Sequence, residues 1–92
     1  MDRPTLAAHV LRFLALAQKA DRVVTLATLT RALGVRRTDV RAVVTSLHRE
    51  GFVDALRMRP TLAGYALGRA FARERLAALR RPEAASSVAL VA

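Results

Sequence analysis

Arg36, Arg37, Thr38, Arg41, Ala42 and Thr45 lie within one short stretch of the chain. At about 100° of rotation per residue they can line the outer face of a single α-helix. An arginine in the first turns of such a helix can donate two parallel hydrogen bonds to a guanine edge, each good pair giving about 1 to 3 kcal/mol of discrimination between bases. It can equally clamp a phosphate. Arg36 and Arg37 stand at the helix entrance, where phosphate contact is commoner, while Arg41 lies one turn further in and is better placed to read a base. The competing reading is a solvated charged face, and the residues that must position the arginines decide between the two.

Other chemistry is poorly represented. The chain has no cysteine, so disulfides, thiolate-bound zinc, iron-sulfur clusters and a cysteine nucleophile are excluded. His9 and His48 are far apart and in no spacing that puts two ligands on one metal. There is no Ser, His and acid cluster and no glycine-rich phosphate loop. A non-enzymatic protein without a cofactor is the expectation.

The apolar pattern supplies the scaffold. Asp2, Arg3 and Pro4 have the grammar of a helix start, and Leu6, Val10, Phe13, Leu14 and Ala17 then recur at helical spacing to about Lys19, flanked by Leu11 and Leu16. Thr25 is placed to cap a second helix over Leu26 to Leu33, which Gly34 ends. A third helix over 36–50 buries Val40, Val43, Val44 and Leu47, carries Asp39 in its first turn and stops at Gly51. Leu29 and Leu33 must pack against Val40 and Val44, with the reversal at a small residue, Gly34, and Val35 plugging the space beneath it. This is the packing grammar of a helix-turn-helix, and it leaves free the helix face that carries the arginines.

After Gly51, Phe52 to Arg57 read as a strand, with Phe52 and Leu56 on one side and Val53 on the other. A second strand from Met58 or Arg59 to Leu62 contains Pro60, which restricts it to an edge. Thr61 caps a last helix running to about Arg80, with one stripe through Leu62, Tyr65, Ala72, Leu76 and Leu79 and another through Gly64, Leu67, Phe71 and Ala78; Pro82 closes it. The predicted architecture is mainly α with a small β-hairpin wing, a winged helix-turn-helix domain over 1–81 followed by a flexible tail over 82–92.

Charge permits this function without locating it. The 92 residues carry a formal net charge of +9 and a pI near 11.8, which favours polyanionic partners. The excess is spread evenly, +3 in each of residues 1–33, 34–60 and 61–92. Fifteen of the sixteen cations are arginine, a bias that a GC-rich genome produces without selection for binding. The apolar run Phe13 to Ala17 is far too short to span a bilayer, and a cytoplasmic location is the default expectation.

The stretch LTRALGVRRTDVRAVVTSLHREGFVDALRMRPTLAGYALGRAF resembles the winged-helix core of MarR-type transcriptional regulators, and more loosely of the ArsR and PadR types. The similarity lies in the pattern around Leu33, Gly34 and Val35, the close of helix three near Gly51, and Thr61 to Gly64, and it covers about half the chain. The resemblance implies a homodimer on a pseudo-palindromic site in double-stranded DNA. The apolar arcs of the first and last helices are wider than one contact needs, so a second copy would pack there, unless the first helix is simply sunk in its own core. Arg36, Arg37, Thr38 and Arg41 would face the major groove, and Arg57 and Arg59 on the wing would reach the neighbouring backbone or minor groove. The chain departs from the pattern at Thr30, where alanine is usual, at Arg36, where a Ser or Thr cap is usual, and in its very short wing. It also lacks the long extra helices with which such dimers build a ligand pocket. A protein-docking module without sequence-specific DNA binding is the alternative.

Overall fold

The computed structural model describes residues 2–74. In chain order these form α1 (Arg3–Lys19), α2 (Leu26–Leu33), α3 (Arg37–Arg49), β1 (Val53–Asp54), β2 (Arg59–Pro60) and α4 (Leu62–Ala72). The protein is thus mainly helical, with one two-stranded antiparallel hairpin. No helix among the described residues is long and apolar enough to cross a membrane.

Local chemistry sets each helix end. Asp2 occupies the N-cap of α1 with Pro4 in the first turn, and its carboxylate accepts the Thr5 hydroxyl at 2.6 Å. At the other end Asp21 takes a positive φ of 56°, and the Asp21 and Arg22 amides return to the Gln18 and Ala17 carbonyls at 3.1 and 2.8 Å. Aspartate tolerates this left-handed conformation better than most residues, and the paired bonds satisfy carbonyls that the helix would leave open. The Thr25 hydroxyl caps α2 by accepting the Thr28 amide at 3.1 Å. Gly34 ends α2 at φ 66°, its amide on the Thr30 carbonyl at 2.9 Å, and Gly51 at φ 84° follows α3 with the paired closure seen after α1: the Gly51 and Phe52 amides bond the His48 and Leu47 carbonyls at 3.1 and 2.9 Å.

Leu6, Val10, Leu11 and Leu14 of α1, Val24, Leu29 of α2, Val40, Val43, Val44 and Leu47 of α3, and Val53 of β1 form one buried cluster. The α1 face differs in detail from the periodicity. Ala15 is fully buried, Phe13 only partly so, and Leu16 is exposed. The reason is α4, which packs more extensively on α1 than any other element does. Gly68 lies directly against the Leu11 carbonyl and the Ala15 Cβ, so the two helices meet with almost nothing between their backbones. The stripe of α4 that serves the core is therefore the one through Gly64, Leu67, Gly68 and Phe71, whereas Leu62 is 86% exposed. Helix α4 ends at Ala72 with Arg73 as its C-cap, short of the predicted Arg80. The predicted stripe residues Leu76, Ala78 and Leu79, Pro82 and the expected tail over 82–92 lie outside the described residues.

The hairpin is also shorter than the alternation suggests. Val53 pairs with Pro60 and Asp54 with Arg59, and the predicted strand residues Ala55, Leu56 and Arg57 instead form the turn. The turn chemistry comes from Asp54, whose Oδ1 accepts the Leu56 amide at 3.1 Å and the Arg57 amide at 3.4 Å; Met58, at φ 52°, completes it. An aspartate can close a turn in this way without Gly or Asn. Leu56 stands at the tip, 93% exposed, and the residue directed into the core is Val53, 1% exposed. Thr61 then joins the hairpin to α4: its hydroxyl donates to the Gly51 carbonyl at 2.7 Å and accepts the Gly64 amide at 3.1 Å. A Cβ on Gly64 would collide with the Phe52 carbonyl, which gives the Thr61 to Gly64 pattern a physical basis.

Candidate nucleic-acid interface

Four apolar residues orient α3. With Val40, Val43, Val44 and Leu47 buried, the opposite side must face solvent, and Arg37, Thr38, Arg41, Thr45, His48 and Arg49 are all exposed. Arg36 occupies the N-cap, exposed and with no side-chain cap bond. Ala42 is half-buried, so it adds surface shape and little reach. Asp39 supplies the acid in the first turn and is also half-buried.

Helical rotation divides this outer side into two rows. Thr38, Thr45 and Arg49, seven and then four residues apart, run nearly straight along the outermost line. Arg37, Arg41 and His48, four and then seven residues apart, form a parallel row on one flank. Arg49 was not singled out from the sequence because it sits beside the helix end; its spacing from Thr38 and Thr45 was the available signal.

The hairpin is attached on the flank that carries Arg37 and Arg41. The link is His48, whose Nδ1 lies 3.1 Å from the Val53 carbonyl oxygen and 3.1 Å from the Ala55 amide nitrogen. Arg57 and Arg59 extend from the hairpin into solvent. Arg57 Nε approaches Asp54 Oδ2 at 3.8 Å in an exposed pair, a contact weak enough to yield to a stronger anion. The expected residues are therefore all on elements joined around α3, and no acidic side chain intrudes into the exposed rows between Arg37 and Arg49.

The packing of α2 on α3 leaves one polar irregularity. The Thr30 hydroxyl on α2 is buried and has no hydrogen-bond partner. Elsewhere, Phe13 and Leu16 line two shallow clefts of about 220 and 200 Å³, one with Ala20 and Val23 and the other with His9, Arg12 and Leu33. Among the described residues, no group of three or more His, Asp or Glu side chains is placed to hold a metal ion.

Comparison with protein-family models, with curated protein sequences and with solved structures finds no match to this chain.

Proposed function

We propose that this protein is a winged helix-turn-helix transcriptional regulator that binds double-stranded DNA, with α3 as the recognition helix and the hairpin as its wing. The observation that carries the proposal is the outer side of α3, where Arg37, Thr38, Arg41, Thr45 and Arg49 are exposed together while the inner side is locked by four valine and leucine residues. The left-handed Gly34 turn before α3 and the basic hairpin after it support the same reading. Phosphate contacts from Arg36, Arg37, Arg57 and Arg59 supply most of the affinity, and Arg41 with Thr45 supplies base readout.

A homodimer on a pseudo-palindromic site belongs to this proposal, since two α3 helices one turn of duplex apart, about 34 Å, would double the readout. Much of the apolar surface of α1 and α4 is used between those two helices. The exposed Leu16 beside Phe13 is what remains on α1 for a second copy.

The test is fluorescence anisotropy with random and selected duplexes over a range of salt. If Arg36, Arg37, Arg49, Arg57 and Arg59 all neutralise phosphates, log K falls against log salt with a slope of about −4.5 for each bound protomer, at roughly 0.9 per contact. Arg41→Ala should flatten the preference between duplexes, with a loss of about 1 to 3 kcal/mol confined to the preferred site. Arg57→Ala should weaken all duplexes alike. Unchanged affinity after neutralising Arg36, Arg37 and Arg41 together would remove the proposal.

The alternative is a protein-docking module, and one observation favours it: Val23 is 90% exposed beside the Phe13 and Leu16 cleft. Salt-insensitive, sequence-independent behaviour in the same titration would turn attention to that surface.

A further inference from the structure

The register of the hairpin leaves Val53 in an unusual position. The Thr61 amide donates to the Phe52 carbonyl at 3.0 Å, while the Phe52 amide turns to the Leu47 carbonyl, so residues 52 and 61 hold a hydrogen-bonded position of the ladder through one bond. Pairs alternate along an antiparallel ladder, which makes Val53 and Pro60 a non-bonded pair and Asp54 and Arg59 the next bonded one. Pro60 therefore removes no ladder bond, although it has no N–H to give. By the same geometry the Val53 carbonyl points away from β2, along the open edge of β1, where α3 brings His48.

That imidazole is asked for two incompatible roles. Val53 O needs a donor and Ala55 N–H needs an acceptor, and both lie 3.1 Å from the same ring nitrogen, Nδ1. A nitrogen that carries a proton can serve Val53, and one that presents its lone pair can serve Ala55, but no single protonation state serves both. The two groups flank Asp54, the residue that builds the hairpin turn.

We infer that His48 is the positioning residue for the hairpin, and that its protonation state selects which of two hydrogen bonds holds β1 against α3. With Nδ1 unprotonated, the Ala55 amide donates to it and draws in the turn side of the hairpin. With the ring protonated, Nδ1 donates to the Val53 carbonyl and the Ala55 amide is released to solvent. Arg57 and Arg59 move with this choice, so the hairpin's alignment against the end of α3 depends on pH. The charged groups that share the setting are Arg49 and Glu50, next to His48 in sequence, and Asp54 and Arg57 on the hairpin; Asp54 is already committed to the turn amides and Arg57. The consequence for DNA rests on the proposed function, whereas the exchange of hydrogen bonds does not.

Two measurements on the full chain keep these apart. The first follows the His48 ring nitrogens and the Ala55 amide by NMR across a pH titration. The Ala55 amide should titrate together with the His48 ring, and it should stop doing so in His48→Asn, whose fixed amide can donate and accept at once and so holds the hairpin at every pH. An Ala55 amide that ignores the ring, or that titrates equally in His48→Asn, overturns the inference whatever the protein binds. The second compares DNA affinity over the same pH range. His48→Asn should keep binding and lose the part of the pH profile that tracks the Ala55 amide, while His48→Phe, with neither bond, should lose roughly fivefold at every pH, about the worth of one neutral hydrogen bond. If His48→Phe unfolds, the asparagine variant still decides. Ala55 coupling without DNA binding would leave the latch standing and refute the functional proposal alone.

Discussion

Replacing Gly68 by alanine is expected to destabilise the fold, opposite to the effect of the same change in an uncrowded helix. There, alanine gains about 1 kcal/mol over glycine. At Gly68 the new Cβ would stand 2.7 Å from the Ala15 Cβ and closer still to the Leu11 carbonyl oxygen, whereas non-bonded carbons settle at about 3.5 to 4.0 Å. The shortfall is roughly 1 Å. Both obstacles are fixed to the α1 backbone, so no rotamer change relieves them and α1 and α4 must separate. Separation would loosen Leu67 and Phe71, which pack against the core from α4. Overpacking of this kind costs about 1 to 3 kcal/mol, and rigid obstacles put Gly68→Ala at the upper end. Against the propensity gain, the net loss is about 1 to 2 kcal/mol, or roughly 5 to 15 °C in Tm for a domain this small. The assay is thermal and urea unfolding followed by far-UV circular dichroism. Ala66→Gly, at an exposed position of the same helix, serves as the control and should lose about 1 kcal/mol from propensity alone. A Gly68→Ala protein that melts at or above the parent, with Ala66→Gly showing its ordinary loss, would refute the close packing of α1 on α4.

Two further substitutions probe α2 and the turn that joins it to α3. Thr30→Val keeps the side-chain shape and removes the buried hydroxyl that has no partner, so the urea midpoint should rise by the equivalent of about 1 kcal/mol; an unchanged or lower midpoint would mean that the hydroxyl is satisfied in solution. Gly34→Ala meets no atom within 4 Å but must hold φ at 66°, so it should lose about 1 to 2 kcal/mol in the same assay through backbone strain alone.

The helices were legible because each is written locally. Thr25, Gly34, Gly51 and Thr61 are the residues that caps and left-handed closures require, and Val40, Val43, Val44 and Leu47 share one helical face however the rest of the chain is arranged. That face in turn made the exposure of Arg37, Thr38, Arg41 and Thr45 predictable. The strand was harder, because the apolar alternation from Phe52 continued past the point where the Asp54 carboxylate captured two amides and turned the chain. A two-residue strand has too little period to announce its length.

The sequence by itself therefore determined where the helices start, their order and the outward face of α3, since propensity, capping and a 3.6-residue period act over a few residues; it overran the end of α4, which closes at Arg73. Tertiary structure decided what depends on contacts between distant residues. It selected Ala15 over Phe13 as the deeper side of α1, because Gly68 lets α4 lie there. It also made His48, an ordinary surface histidine by its spacing, the side chain that meets both Val53 and Ala55. No periodicity along α3 specifies that meeting, which exists only once the hairpin has folded back against the end of the helix.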